Sequence, residues 1–454
     1  MKGQVDIGTR VEMFVDDWLI EEMKGTQLKL NPPVKREVVM TFNKPWEGQV
    51  SGFFTVIQEE DFVRLYYRGI CIRDTDDDNQ VSCYAESEDG VHFERPSLGL
   101  YEFGGSKENN IILVGTDAHN FAPFLDESPN APPQQRFKAV GGVGPKGQSI
   151  YLNKGFLNGY YSSDGIHWLK WDEPILYDGA FDTLNVAFWD KNIGKYRCYS
   201  RYFEDKVRAI QIATSDDFLH WSEHQPNQYA EGIPLEQFYT SATVQCPGAE
   251  HMYLSFPMRI AVDRKKSMRN RLSAQGVTDA VMMSSRDGLH WDRTFMEAWV
   301  RAGLDQLNWA DRNQMIARGI VETAPDEFSL YISEHYRSDT NRLRRMTVRK
   351  HGFASVNASY TGGEMVTRPV VFSGNRLFLN YSTSAVGSVK VEVQDASGVP
   401  IEGFTLDDTD EMYGDSISEA VTWHEGRSLE ELKGEAVRFR FVMKDADLYA
   451  IKTK

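Results

Sequence analysis

The chain has 454 residues, more than one hydrophobic core usually serves, so we expect two domains, one of them large. Hydrophobic residues make up 41% and charged residues 26% of the chain, as in ordinary soluble globular proteins. The 66 acidic residues outnumber the 50 basic ones and give a net charge of −16, which argues against a nucleic-acid partner because phosphate binding needs a basic face.

Targeting signals are sparse. No stretch approaches the length of apolar sequence that a membrane span needs, so we expect no membrane partner. The N-terminal MKGQVDIG lacks the apolar core of a signal peptide, which fits a cytoplasmic protein, or a periplasmic or secreted one whose signal peptide has been removed. The four cysteines, Cys71, Cys83, Cys198 and Cys246, are predicted to be free core thiols, although Cys71 and Cys83 could face each other across a hairpin.

One seven-residue word returns along the chain. SEDGVHF (87–93) is followed by SSDGIHW (162–168), SDDFLHW (215–221) and SRDGLHW (285–291), and RKHGFAS (349–355) is a worn fifth copy. Internally similar units of this length indicate a repeat architecture.

Each unit is predicted to contain four antiparallel strands. The third unit shows them best, as NVAFWD, KYRCYSRYF, RAIQIATS and, after the repeated turn, LHWSE. Period-2 alternation broken by Gly, Asp and Asn turns is typical of strands. Four-stranded units repeated radially form a β-propeller, so the sequence predicts an all-β fold with five blades over residues 1–357.

The repeated word is predicted to form the turn between the third and fourth strands. Its Asp would accept hydrogen bonds from turn amides, and its Gly would supply a permissive backbone. The His and the aromatic residue would then pack into the blade interface, so the histidines are expected to be structural. These are His92, His167, His220 and His290.

Residues 362–454 lack the repeated word but keep the alternation of strands, as in VVFSGNRLFLNYST and AVRFRFVMKDADLYAIK. They predict a C-terminal β-sandwich. Its long loop carries four acidic residues, which we interpret as a solvated loop rather than a calcium site. They are Asp407, Asp408, Asp410 and Asp415.

Carboxylates are predicted to gather at the propeller axis, because inner strands start and second strands end at the mouth of a central funnel. Asp182 ranks first, since it precedes the inner strand of blade three in a segment rich in polar and aromatic residues. The further candidates are Glu334, Glu236, Asp279 and Glu47, with Asp16 and Asp17 also open. Glycoside hydrolysis needs such a set, with one carboxyl protonated and another ionised as base or nucleophile.

Arginines are predicted to share this funnel. Arginine pairs bidentately with carboxylate or sulfate, so several of them favour an acidic sugar, although arginine also binds hydroxyls and orients catalytic carboxylates. The predicted substrate-binding residues are Arg68, Arg201, Arg259, Arg312, Asn313, Tyr239, Trp309 and Asn185.

The repeated turns, the strand ends YYRG (66–69) and RYF (201–203) and the C-terminal sandwich together resemble the five-bladed clan of glycoside hydrolase families 32, 43, 68, 117 and 130. The architecture is most similar to family 32. The NDPNG, RDP and EC motifs of that family are absent, so no catalytic residue is carried over from it. The resemblance implies exo-acting hydrolysis of a terminal sugar, often a furanoside, and a role in carbohydrate breakdown.

The main hypothesis is therefore a glycoside hydrolase whose partner is an oligosaccharide or glycoside. Two alternatives stay open, a non-catalytic carbohydrate-binding propeller and a phosphate-dependent glycoside phosphorylase. No cofactor is expected to be required, and no metal site is predicted, because His119, His251 and His335 are too scattered to indicate a zinc site. Some relatives carry a structural calcium ion on the axis, which the sequence leaves open.

Overall fold

The structure is a computed structural model and describes residues 3–69, 80–144, 149–264 and 276–454. The chain divides into two compact units. The propeller unit comprises residues 34–324 and 328–347, and the sandwich unit comprises residues 1–33, 325–327 and 348–454. Among the described residues, no helix is long and apolar enough to cross a membrane.

Five strands precede the first complete blade. They are β1 (Val5–Gly8), β2 (Glu12–Met13), β3 (Ile20–Lys24), β4 (Thr26–Leu30) and β5 (Val34–Thr41). The first two blades follow in chain order. Blade one comprises β6 (Gly52–Gln58), β7 (Val63–Gly69), β8 (Val81–Ser87) and β9 (Ile111–Val114). Blade two comprises β10 (Ala122–Leu125), β11 (Phe137–Gly144), β12 (Gly155–Ser162) and β13 (Leu169–Lys170), and β14 (Leu176–Gly179) also pairs with β12.

The remaining blades complete the predicted five. Blade three comprises β15 (Val186–Asp190), β16 (Lys195–Glu204), β17 (Val207–Ser215) and β18 (Gln225–Pro226). Blade four comprises β19 (Val244–Cys246), β20 (Ala249–Ser255) and β23 (Met283–Ser285), together with the pair β21 (Met258–Ala261) and β22 (Val277–Ala280). Blade five comprises β24 (Val321–Ala324), β25 (Glu327–Glu334), β26 (Arg342–Arg349) and, as its fourth strand, β5.

The ring is closed by β5, which pairs antiparallel with β26 from Thr41 opposite Arg342 to Val34 opposite Thr347. This closure explains the worn fifth word at 349–355. It follows the third strand of blade five, as the other copies follow theirs, but the fourth strand is already supplied by β5. The chain therefore passes into the sandwich unit instead of forming another blade strand.

The four intact words form turns after the third strands, as predicted. In the first copy, Asp89 Oδ1 accepts hydrogen bonds from the N–H groups of Val91 and His92, both at 2.8 Å, and its Oδ2 lies 2.7 Å from His92 Nδ1. The expectation that the histidines pack between blades is wrong. Their side chains are 68–87% exposed, because each Asp holds its imidazole on the outside of the turn.

A tyrosine of the preceding blade fastens three of these turns. Its hydroxyl donates to the carbonyl of the Gly in the word, and that Gly has a positive φ of 71–78°. A Cβ atom on the Gly would lie within 2.7–2.9 Å of the hydroxyl, which explains why no larger residue stands there. The pairs are Tyr66 with Gly165, Tyr199 with Gly288 and Tyr331 with Gly90, at 3.0, 2.7 and 2.6 Å.

The sandwich unit contains a ten-stranded sheet around one hydrophobic core. Its later strands are β27 (Ala354–Ala358), β28 (Gly363–Thr367), β29 (Val370–Phe372), β30 (Leu377–Asp395), β31 (Asp415–Ala420) and β32 (Val437–Thr453). The long strands β30 and β32 pair along their length, and bulges divide each into two segments with different neighbours. Together with the blades, this sheet confirms the predicted fold class.

The domain boundary differs from the predicted one at 357. Strands β1 to β4 pair with β29, β32, β28 and β27 respectively, so residues 1–33 belong to the sandwich unit. Asp16 and Asp17 therefore lie in the sandwich unit and not in the propeller. Short 3₁₀ helices occur at Gly115–Ala118, Pro133–Gln135, Ile150–Leu152, Gln306–Asn308, His424–Gly426 and Leu429–Leu432.

Three of the four cysteines lie in the part of the chain that the structure describes. Within that part, Cys83, Cys198 and Cys246 are buried thiols that form no disulfide, as predicted. Cys71, and with it the open question of a contact with Cys83, lies outside the described residues. Within the described ranges, no group of three His, Cys, Asp or Glu side chains is arranged to hold a metal ion.

Candidate active site

Asp182 is presented at the mouth of the propeller unit by a tight turn before β15. The side-chain amide of Asn185 closes this turn by donating to the carbonyls of Phe181 and Thr183, at 2.8 and 3.3 Å. The predicted role of Asn185 as a substrate contact is therefore replaced by one in shaping the turn. The Asp182 side chain remains 37% exposed, so it can reach a ligand.

Asp182 is held in its ionised form. Burial by itself would raise the pKa of this carboxyl, but the hydrogen bond and charge of His119, with the positive charges of Arg201 and Arg68, hold the pKa well below its usual range. His119 Nε2 lies 2.9 Å from Asp182 Oδ1, and its Nδ1 lies 2.6 Å from Gln80 Oε1. The imidazole is thereby oriented between the two side chains.

Arg68 links the mouths of blades one, two and five. Its Nη1 donates to Asn120 Oδ1 at 2.7 Å and its Nη2 to the hydroxyl of Tyr336 at 3.1 Å, and its guanidinium stacks 4.2 Å from the Phe53 ring centroid. Asn313 is completely buried and accepts a hydrogen bond from the Tyr336 N–H at 2.9 Å. Asn313 therefore positions Tyr336 instead of contacting substrate as predicted.

Three guanidinium groups surround the ring of Tyr239. Those of Arg201, Arg312 and Arg208 lie 4.9, 5.1 and 5.8 Å from the ring centroid. Arg312 pairs with Asp311 Oδ2 at 2.5 Å, and Arg337 donates to the same oxygen at 3.2 Å. The mouth is therefore rich in positive charge.

A second group of charges lies in blade four. Arg259 donates to Glu236 Oε1 at 2.8 Å and to both oxygens of Asp279 at 3.0 and 2.8 Å. Glu236 also accepts from Arg293 at 2.6 Å. Burial would lower the pKa of Arg259, but the two carboxylates raise it above its usual value. Both carboxylates and the half-exposed Trp309 line a cavity of about 800 Å³.

Two predicted carboxylates are enclosed. Glu47 has no exposed side-chain area, and it accepts hydrogen bonds from Arg95 Nε at 2.7 Å and from the hydroxyl of Tyr67 at 2.6 Å. Its role is structural, because a sugar cannot reach it. The side chain of Glu334 is 3% exposed. It pairs with three cations of blade five, Lys35 at 3.1 Å and Arg342 and Arg344 at 2.9 Å each.

Burial would raise the pKa of Glu334, yet Arg344 and Lys35 lower it below its usual value. The three cations therefore keep Glu334 ionised, which argues against the predicted role as an acid, and its 3% exposure argues against the predicted role as a base.

The structure thus brings Asp182, Arg68, Arg201, Arg312 and Tyr239 to the mouth, and it gathers Glu236, Asp279, Arg259 and Trp309 in blade four. The hydroxyl of Thr183 donates to the carbonyl of Tyr239 within the first group, and Glu236 of the second group stands three residues before Tyr239 in the chain.

Sequence reasoning placed His119 before the inner strand of blade two without giving it a role in the site, and it did not select Arg208 or Arg293. Arg208 stands at the start of the third strand of blade three, and the rule that selected Asp279 would have found it. No local signal marks Arg293.

No protein-family profile matches the chain, and no curated protein matches its sequence. Some solved structures are similar to the chain. One described as a glycoside hydrolase is 12% identical, with a TM-score of 0.48 over 70% of this chain and 92% of that chain.

A second structure comes from work on the family 130 mannoside phosphorylases, described as containing glycoside hydrolases that target β-1,2 mannosidic linkages in Candida mannan. It is 15% identical, with a TM-score of 0.41 over 74% of this chain and 96% of that chain. A fructofuranosidase from Schwanniomyces occidentalis, complexed with fructosylnystose, is 9% identical, with a TM-score of 0.41 over 92% of this chain and 98% of that chain.

Proposed function

We propose that the protein is a glycoside hydrolase that removes a terminal sugar from an oligosaccharide or glycoside at the mouth of its propeller unit. The observation that carries the proposal is Asp182, a carboxylate that is kept ionised and still accessible. Mouth segments of blades one, two, three and five meet around it through His119, Asn120 and Arg68. Because segments of four blades enclose Asp182, the site suits the end of a glycan better than its middle.

Asp182 supplies the ionised carboxylate that the reaction needs, either to activate water or to attack the anomeric carbon. The proton for the leaving oxygen comes from Asp279. Asp279 contacts one guanidinium group, that of Arg259, whereas Glu236 contacts two. Asp279 is also the more exposed of the two carboxylates, at 30% against 19%, so a substrate can reach it more readily.

The test is sugar release from a panel of furanosides, pyranosides and uronides by the purified protein. Asp182→Asn should lower kcat by about 10²- to 10⁴-fold, the range for loss of a general acid or base. Its melting temperature should stay near that of the wild type. Asp279→Asn should impair substrates with poor leaving groups more than aryl glycosides with good ones. Undiminished release by Asp182→Asn would contradict the assignment.

A non-catalytic carbohydrate-binding propeller is the second candidate. The enclosure of Glu47 and Glu334 favours it, because two of the predicted carboxylates are thereby withdrawn from chemistry. This candidate predicts that sugars bind but are never released, and that Asp182→Asn changes only the dissociation constant. Calorimetry and product analysis on the same preparation separate the two.

A further inference from the structure

The cluster around Tyr239 has more positive charge than its neighbours neutralise. Among the described residues, the Arg201 guanidinium makes its hydrogen bond to the carbonyl of Ala180, at 3.0 Å, and its buried Nη2 has no partner. Arg208 donates to the side-chain oxygen of Gln237 at 3.0 Å, and its buried Nε has no partner. Among the residues that the structure describes, neither guanidinium forms a salt bridge with a carboxylate.

The nearby acidic residues do not offset this excess. Asp311 is occupied by Arg312 and Arg337. Asp182 acts on Arg201 through its charge but hydrogen bonds to His119. Burial, the charge of Arg201 and the charge of Arg312 together lower the pKa of Arg208, despite an opposing effect of Tyr239. Unpaired buried charges are costly for a fold, so such a cluster calls for an anion.

We propose that this cluster binds an oxyanion during turnover, with Arg201 and Arg208 as its principal donors and Arg312 beside them. Guanidinium groups present paired N–H donors that match carboxylate, sulfate and phosphate oxygens. The oxyanion is either a carboxylate or sulfate on the terminal sugar, or free phosphate acting in place of water. Whether the anion belongs to a substrate rests on the proposed function, but anion binding itself can be measured without catalysis.

Binding is measured by calorimetry with glucuronate, galacturonate, a sulfated monosaccharide and inorganic phosphate, each set against glucose and galactose. The wild-type protein should bind at least one of the anions more tightly than the neutral sugars. Arg208→Gln should weaken that binding by about 10- to 100-fold, as expected for loss of a charged hydrogen bond. Binding of neutral sugars should be unchanged.

Arg208→Lys keeps the charge but not the paired donors, so it should give an intermediate affinity and also serves if Arg208→Gln fails to fold. Arg136→Gln is the matched control, because Arg136 is an exposed propeller arginine that pairs with Glu59. It should bind every probe as the wild type does.

Two outcomes overturn the inference: equal affinity of the wild type for anionic and neutral probes, and unchanged anion binding in Arg208→Gln. A phosphate requirement for sugar release identifies free phosphate as the oxyanion, whereas faster release from uronides or sulfated glycosides without phosphate identifies the sugar. If anions bind and no glycoside is cleaved, the hydrolase proposal fails and the oxyanion site stands. If neutral glycosides are cleaved and no anion binds, the hydrolase proposal stands and the oxyanion site is refuted.

Discussion

Replacing His119 by Gln should move the acid limb of the pH–activity profile to higher pH. The hydrogen bond from His119 to Asp182 is the largest influence that lowers the pKa of this carboxyl against the raising effect of burial. A hydrogen bond to a charged group is worth roughly 1.5–3 kcal/mol, and one pKa unit corresponds to about 1.36 kcal/mol. The pKa of Asp182 should therefore rise by about one to two pH units. The rise should be nearer to one unit, because the side chain is 37% exposed and solvent weakens the interaction.

The sign follows from the depressed pKa. Asp182 is active when ionised, so activity is present above its pKa and is lost as the pH falls through it. Raising the pKa moves that loss to higher pH. The assay is kcat/KM as a function of pH for the wild type and His119→Gln on one glycoside. His220→Gln is the control, because His220 also contacts an aspartate, Asp217, but lies in an exposed turn. Coincident acid limbs for the wild type and His119→Gln would refute the assignment of Asp182 as the titrating group.

Three further predictions concern stability, each measured by chemical denaturation. Glu47→Gln breaks the buried ion pair with Arg95 and should lower the free energy of unfolding by about 3–5 kcal/mol, while kcat per folded molecule stays unchanged. A loss of kcat without destabilisation would contradict the structural role of Glu47. Arg318→Met should stabilise the fold by about 1–3 kcal/mol at neutral pH, because burial lowers the pKa of Arg318 to about 10 and so disfavours its charged form in the fold. This gain should shrink as the pH rises above 10. A variant less stable than the wild type at neutral pH would count against the prediction. Gly288→Ala should lower the free energy of unfolding by about 1–3 kcal/mol, since its Cβ would lie 2.7 Å from the Tyr199 hydroxyl. Gly194→Ala should have a smaller effect, because nothing lies within 4 Å of its Cβ. Equal effects of the two substitutions would exclude steric contact as the cause.

The repeated turn allowed the blades to be predicted because its signal is local. In the second word, for example, Ser162 and Asp164 accept hydrogen bonds from backbone N–H groups within three residues, so the pattern could be recognised without knowledge of the rest of the chain. Positions at the ends of inner and second strands followed from the propeller geometry. Asp182 and Arg68 were found in this way.

Side-chain direction could not be predicted in the same manner. Successive residues of a strand point to opposite faces, so a position at the mouth does not say whether a side chain faces the axis or a neighbouring strand. Glu334 faces Arg342 and Arg344 on the next strand and Lys35 on β5, nearly 300 residues earlier in the chain. Its partners are set by tertiary pairing, which the local sequence does not contain.

The sandwich strands at the N-terminus failed to stand out for a related reason. Strands β3 and β4 alternate between buried and exposed residues much as blade strands do. Only the identity of their partners, β28 and β27, assigns them to the sandwich unit, and those partners lie beyond the whole propeller.

Apart from residues 325–327, the propeller is an insertion between the two parts of the sandwich unit, and this order governs how the protein emerges from the ribosome. Thr26 hydrogen bonds to the carbonyl of Glu364, 338 residues later. At a synthesis rate of roughly 5–20 residues per second, β4 spends about 20–70 seconds without its neighbours. Strand β5 waits almost as long, because Glu37 meets Arg345 only 308 residues on. The edges of β4 and β5 therefore remain unpaired, and open to chaperones or to other nascent chains, until synthesis reaches the last quarter of the polypeptide.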